Sequence, residues 1–297
     1  MSKATRIRQQ NARERIAAQR AAARKTEIRR RFFITGGSVL AVVVIVIAFI
    51  VVKATENSAA KSPTNPVGTA LPASVIKDVT KVPASTLNAV GAGTAYAKSV
   101  QTIHGKALTS GGKPEVLYIG AEYCPYCATE RWAMAVALSR FGTFSGLHGI
   151  HSSSTDTDPS TPTLTFYKST YTSKYLVFTP VETTTEVETT LLQTPTAAQQ
   201  SLMGTYDVPP RVTQAGAIPF VDFGNKYMVG GAQYNPSVLQ GKTWSQVASA
   251  LNDKSSAIGQ GADGAANMIT AAVCKLTNDK PADVCSSPVI KRMQGQI

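Results

Sequence analysis

Two cysteines three residues apart, Cys124-Pro125-Tyr126-Cys127, stand between an apolar run at 115–121 and a helix-forming stretch that begins at Ala128. No other feature constrains this chain as much. A strand must deliver the first thiol to the start of a helix. There it meets unpaired backbone N–H groups and the positive end of the helix macrodipole, which both favour a thiolate. A second thiol three residues on can attack a mixed disulfide and release the product. Strand, C-x-x-C and helix in that order point to thiol–disulfide chemistry.

The compartment follows from where charge and apolarity fall. The chain of 297 residues carries a net charge of +12. Eleven of its Lys/Arg and only two Asp/Glu lie in residues 1–31, so the basicity belongs to a tail and not to the folded part. The tail lacks interleaved aromatics, which argues against nucleic acid as a partner. Residues 32–52 follow without a single charge, long enough to cross a lipid bilayer as one transmembrane helix. Arg29-Arg30-Arg31 precede this run and only Lys53 closely follows it. The asymmetry places the N-terminus in the cytoplasm and residues beyond about 53 outside the cell membrane. The run is too long, and starts too far from Met1, for a cleaved signal peptide. Residues 53–75, rich in Ala, Ser, Thr, Asn and Pro, read as a flexible stalk. All four cysteines lie beyond it, as expected where disulfides persist.

Within 76–297 the expected order is strand 115–121, helix 128–141 with a mostly apolar stripe at Trp132, Ala135 and Val136, and a second strand at 147–153. Segments 163–167 and 175–179 are β-rich, and 183–185 has no assignment. Helices are expected at 196–204, 237–251 and 265–276, with a Gly-rich break before the last. Phe220–Phe223 and Tyr227–Gly230 flank Gly224-Asn225 as a hairpin, with Pro219 at its start.

This layout resembles the thioredoxin-like superfamily, an α/β fold, over about residues 113–252. More closely the chain resembles the membrane-anchored family catalogued as domain of unknown function 929. That resemblance rests on Gly120-Ala121-Glu122-Tyr123-Cys124-Pro125-Tyr126-Cys127-Ala128, Glu130-Arg131-Trp132, Phe141-Gly142-Thr143-Phe144 and Tyr171-Thr172-Ser173-Lys174-Tyr175. The thioredoxin fold implies Cys124 as exposed nucleophile and Cys127 as buried resolving thiol. It implies Tyr126 and Ile218 as substrate-binding neighbours, and Pro219 lying in cis against the sulfurs; a trans proline opening a strand is the ordinary alternative. The ninety or so residues between Cys127 and Pro219 exceed a minimal thioredoxin, which implies an insertion at about 156–210. The C-terminal helical extension runs from about 253 to 297.

The expected function is a membrane-anchored extracytoplasmic thiol–disulfide oxidoreductase whose partners are protein thiols or disulfides. It calls for no cofactor and no metal. The alternative is a non-catalytic thioredoxin-like binding or assembly module that holds Cys124–Cys127 as a structural disulfide. Oxidase, isomerase and reductase share these parts and differ in reduction potential and electron partner. Cys274 and Cys285, eleven apart, suit a structural disulfide, with a second redox pair as the alternative. His148 and His151 sit three apart in an expected strand and so on opposite faces, poorly placed for one metal. Glu122 and Glu130 read as surface or salt-bridged carboxylates, with proton transfer as the sharper reading.

Overall fold

The computed structural model describes residues 67–297. The basic tail, the expected transmembrane run and residues 53–66 of the stalk lie outside the described residues. Among those described, no helix is long and apolar enough to cross a membrane. The fold is mixed α/β, with sheets and helices.

In chain order the elements are β1 (Thr69–Ala70), α1 (Ala73–Thr80), α2 (Ala84–Val90), β2 (Gln101–Thr102), β3 (Thr109–Ser110), β4 (Lys113–Gly120), α3 (Pro125–Leu138), β5 (Gly142–Ser145), β6 (His148–His151), β7 (Pro162–Thr165), β8 (Thr170–Ser173) and β9 (Val177–Glu182). Then come α4 (Ala197–Tyr206), β10 (Phe220–Phe223), β11 (Tyr227–Gly230), a 3₁₀ turn (Pro236–Leu239), α5 (Trp244–Ala250), α6 (Ala257–Leu276), α7 (Ala282–Cys285) and α8 (Pro288–Gln294). Order begins earlier than the expected stalk end, because Thr69 and Ala70 pair with Gly149 and His148.

The central sheet places β4 between β9 and β10. β9 runs parallel to β4 from Glu115↔Val177 to Gly120↔Glu182. β10 runs antiparallel to β4, from Phe220↔Ile119 to Phe223↔Val116, and β11 and then β2 continue outward. Alternation along β4 serves two cores. Val116 and Tyr118 join the larger cluster with Trp132, Val221 and Phe223. Leu117 and Ile119 join a smaller one with Phe220 and Met228, covered by Leu202, Met203 and Tyr206 of α4.

Four expectations are corrected. The segment expected as the second strand is β6, and it belongs to a separate sheet with β1 and β7. The parallel neighbour of β4 is β9, inside the stretch expected as an insertion, so the excess length is split to either side of β9. The expected helix 237–251 breaks in two, because Gly241 adopts φ +67° and Thr243 then caps α5 in a capping box with Gln246. The Gly-rich break is itself helical, the front half of the 20-residue α6.

The glycines of α6 are sites of close approach. A Cβ on Gly264 would lie 2.2 Å from the Ala92 carbonyl oxygen, and one on Gly261 would lie 2.7 Å from the Tyr234 ring. These contacts seat α6 against the turn after α2 and against Tyr234, and α6 also packs along α3. Buried on every side from Cys127 to Leu138, α3 shows no single apolar stripe, as befits a helix enclosed in a core. Gly264→Ala is expected to destabilise the domain by a few kcal/mol despite a helix-propensity gain of about 1 kcal/mol. Thermal unfolding checks this, and an unchanged or raised midpoint would refute the packing argument.

Past α6 the chain is tied back by the Cys274–Cys285 disulfide, whose sulfurs are fully buried. The expected pairing is present.

Candidate functional site: the Cys124–Cys127 dithiol

Cys124 is the N-cap of α3, just past the carboxyl end of β4, with Pro125 in the first turn. Its extended backbone turns the sulfur back over the helix start, where Sγ accepts the Cys127 N–H at 3.3 Å. The thiol in turn donates to the Ile218 carbonyl oxygen at 3.7 Å. Ile218 lies in the strand entry that pairs beside β4, and the Ile218–Pro219 peptide bond is cis. Of the residues singled out in sequence, Ile218 is thus brought to Cys124, and Pro219 follows it across the cis bond. Tyr126, 43% exposed, stands on the solvent side of the site.

The two thiols are unequal. Cys124, expected to be exposed, is itself buried at 5% exposure because the Ile218 strand entry closes over it, Cys127 is fully buried, and both are free. A hydrogen bond from the Cys127 thiol holds the Cys124 thiol below its ordinary value; burial opposes this, and the Cys127 N–H and the Arg131 charge assist it. Burial pushes the Cys127 thiol well up, and its bond to Cys124 adds to the rise. A lowered outer thiol and a raised inner one suit a nucleophile and a reserve thiol.

Charge behind the sulfurs went unread in the sequence. Arg131 and Glu182 form a fully buried ion pair, Nε to Oε1 at 2.8 Å and Nη2 to Oε2 at 2.7 Å. Arg131 Nη2 also donates to the Ala121 carbonyl at 2.6 Å. Spacing offered a signal, since Arg131 follows Cys127 by four and so shares its helix face.

Glu122 and Glu130 are corrected outright: both are buried, and neither is ion-paired. Glu122 accepts a hydrogen bond from Thr165 Oγ1 at 2.5 Å, and burial lifts its pKa to about 7. Glu130 accepts only the Gln233 N–H, at 3.3 Å through Oε2, and burial lifts its pKa to about 8. The strand and helix that present the sulfurs are enclosed, so their charged residues are enclosed with them.

A cleft of about 620 Å³ opens beside Tyr126 and Ile218, walled by Tyr96, Val212 and Tyr234. A larger one, about 970 Å³, is lined by His151, Glu186, Glu188 and Trp244. His151 packs on the Trp244 ring. Among the described residues no group of three His, Cys, Asp or Glu is placed to hold a metal ion.

The fold and site define a mixed α/β domain that carries an asymmetric dithiol at a buried helix N-terminus. Residues 99–275 match the family described as Domain of unknown function (DUF929), and the chain belongs to that family. No curated protein and no solved structure matches it.

Proposed function

We propose that this protein is a thiol–disulfide oxidoreductase of thioredoxin-like fold, anchored by residues 32–52 with its dithiol domain on the extracytoplasmic side. The observation that carries the reading is the inequality of the sulfurs: Cys124 capped by the Cys127 N–H with a lowered thiol, Cys127 sealed beneath it. The strand order β9–β4–β10–β11, with only β9 parallel to β4, and the packing of α6 along α3 support the fold assignment.

In the reducing direction the Cys124 thiolate attacks one sulfur of a substrate disulfide. A new S–S bond forms, the substrate bond breaks, and one substrate thiolate leaves. Cys127 then loses its proton and attacks Cys124 Sγ, and the second substrate thiolate leaves and is protonated. The substrate gains two electrons and two protons, and Cys124 and Cys127 become a disulfide. The reverse sequence oxidises a dithiol. The cleft beside Tyr126 and Ile218, next to Cys124 in chain and contact, is where an extended polypeptide substrate docks in this reading.

Equilibration of the full chain in detergent with glutathione redox buffers tests this reading. Reversible exchange at Cys124–Cys127 is expected, with a midpoint between about −120 and −270 mV. A pair that stays oxidised below about −300 mV and never exchanges would sink the proposal in favour of a structural disulfide.

A further inference from the structure

The strongest unexplained feature near the sulfurs is the Arg131–Glu182 ion pair. Replacing such a pair by apolar residues is often neutral or stabilising, so stability alone is a weak reason for it. Its placement suggests another. Arg131 lies one helical turn beyond Cys127 on the same face of α3. Its guanidinium is fixed at three points: twice to Glu182, which sits opposite Gly120 at the end of β9, and once to Ala121 O, three residues before Cys124. Those bonds come from Nε and Nη2; the third nitrogen, Nη1, is buried without a hydrogen-bond partner. Glu182 is likewise held, by the Phe166 N–H at 3.4 Å.

We propose that Arg131, held by Glu182, is a positioning residue whose positive charge stabilises the thiolates of this dithiol and thereby makes the pair more oxidising. The inference rests on the oxidoreductase reading and deepens it.

Arg131 and Cys127 are both fully buried on one face of α3. Cys127 must ionise to resolve a mixed disulfide, yet no solvent reaches it. Ionising a thiol there requires a nearby positive potential, and a charge in a water-excluded site acts strongly. The groups facing the sulfurs are the Tyr118 and Tyr123 hydroxyls, the Ala121, Tyr126 and Cys127 backbone N–H groups, the Ile218 carbonyl and Arg131; Arg131 is the cation among them, and it favours the thiolate at both cysteines. Glu182 binds the guanidinium through Nε and Nη2. It keeps Arg131 charged in spite of burial, with Tyr118 adding to that effect. Stabilising a thiolate stabilises the reduced form relative to the disulfide, which is what raises a reduction potential.

The test compares the full chain with the paired replacement Arg131→Met/Glu182→Leu and with Arg131→Lys. Two readouts are taken: the pH profile of Cys124 alkylation by iodoacetamide, and the exchange equilibrium with glutathione. The paired apolar variant is expected to move the alkylation profile to higher pH. It should also shift the equilibrium about tenfold toward the protein disulfide, about 30 mV for a two-electron couple. Arg131→Lys keeps the charge and is expected to stay close to the unmodified chain. A folded paired variant with an unchanged profile and equilibrium overturns the proposal, as does an Arg131→Lys variant that behaves like the apolar pair. If the paired variant does not fold, Arg131→Gln gives the comparison. A lowered midpoint that Arg131→Lys keeps and Arg131→Gln loses supports the proposal. A midpoint at the ordinary free-thiol value, about 8.5, in the unmodified chain, or one unchanged in Arg131→Gln, overturns it. A lowered midpoint with no glutathione exchange refutes the oxidoreductase reading and leaves the electrostatic role standing.

Discussion

Cys124→Ser is expected to abolish disulfide exchange, with a loss of at least about a hundredfold against a small disulfide substrate. A serine hydroxyl at the N-cap can still accept the Cys127 N–H, so the helix start is preserved. The remaining thiol cannot take over. Cys127 is sealed beneath the helix start, and burial holds its thiol well above the ordinary range. Cys127→Ser has a different signature. Cys124 can still attack, but nothing resolves the product, and a covalent adduct with the substrate should accumulate and be visible by intact mass. Replacing both Cys274 and Cys285 by Ala should leave exchange in place and lower the unfolding midpoint, since that bond closes the turn after α6 at a distance in sequence from the site. Exchange by Cys124→Ser at the unmodified rate, or no adduct from Cys127→Ser, would remove the mechanism.

The dithiol was legible because its chemistry is local. A C-x-x-C between an apolar run and a helix needs only nearest neighbours to be read, and Pro219 and the hairpin after it are equally local. What escaped is what three dimensions decide. Glu122 and Glu130 carry charges that read as surface or salt-bridged, Arg131 had no assigned role, and only the packing of the fold shows all three buried. Glu182 lies fifty-one residues from Arg131, and no periodicity links them. The strand that carries Glu182 was folded into an expected insertion, since 175–179 is short and β-rich but gives no sign of which sheet it joins. Gly259, Gly261 and Gly264 read as a break because glycine disfavours a helix in isolation. In the folded chain they are the places where the backbone of residues 92 and 250–253 and the ring of Tyr234 close on α6, and tertiary packing overrides the propensity.

The buried carboxyls carry the second large expectation: the domain should be more stable at pH 5 than at pH 8. Burial raises Glu130 and Asp263 to about 8 and Glu122 to about 7, with hydrogen bonds from Gln233 N–H and Thr165 only partly offsetting the rise at the two glutamates. In the unfolded chain these groups titrate near 4. Between about 4 and 8 the folded state therefore holds protons that the unfolded state has lost, so stability is fully present below pH 4 and falls as pH rises toward 8. A shift of three units corresponds to about 4 kcal/mol for one group, so even partial relaxation leaves a loss of several kcal/mol across the window. His151, lowered by burial, acts in the opposite sense near its ordinary range, but it is one half-buried group. Asp263 is the most telling position, because both its oxygens are buried without partners. Asp263→Asn and Glu130→Gln imitate the protonated forms. Each should raise stability at pH 8, change it little at pH 5, and flatten the pH profile, as read by urea unfolding of a 67–297 fragment. A midpoint that climbs from pH 5 to pH 8 in the unmodified fragment would show these carboxyls ionised in the fold. The enclosed cores around α3 and α6 would then admit more water than their burial allows.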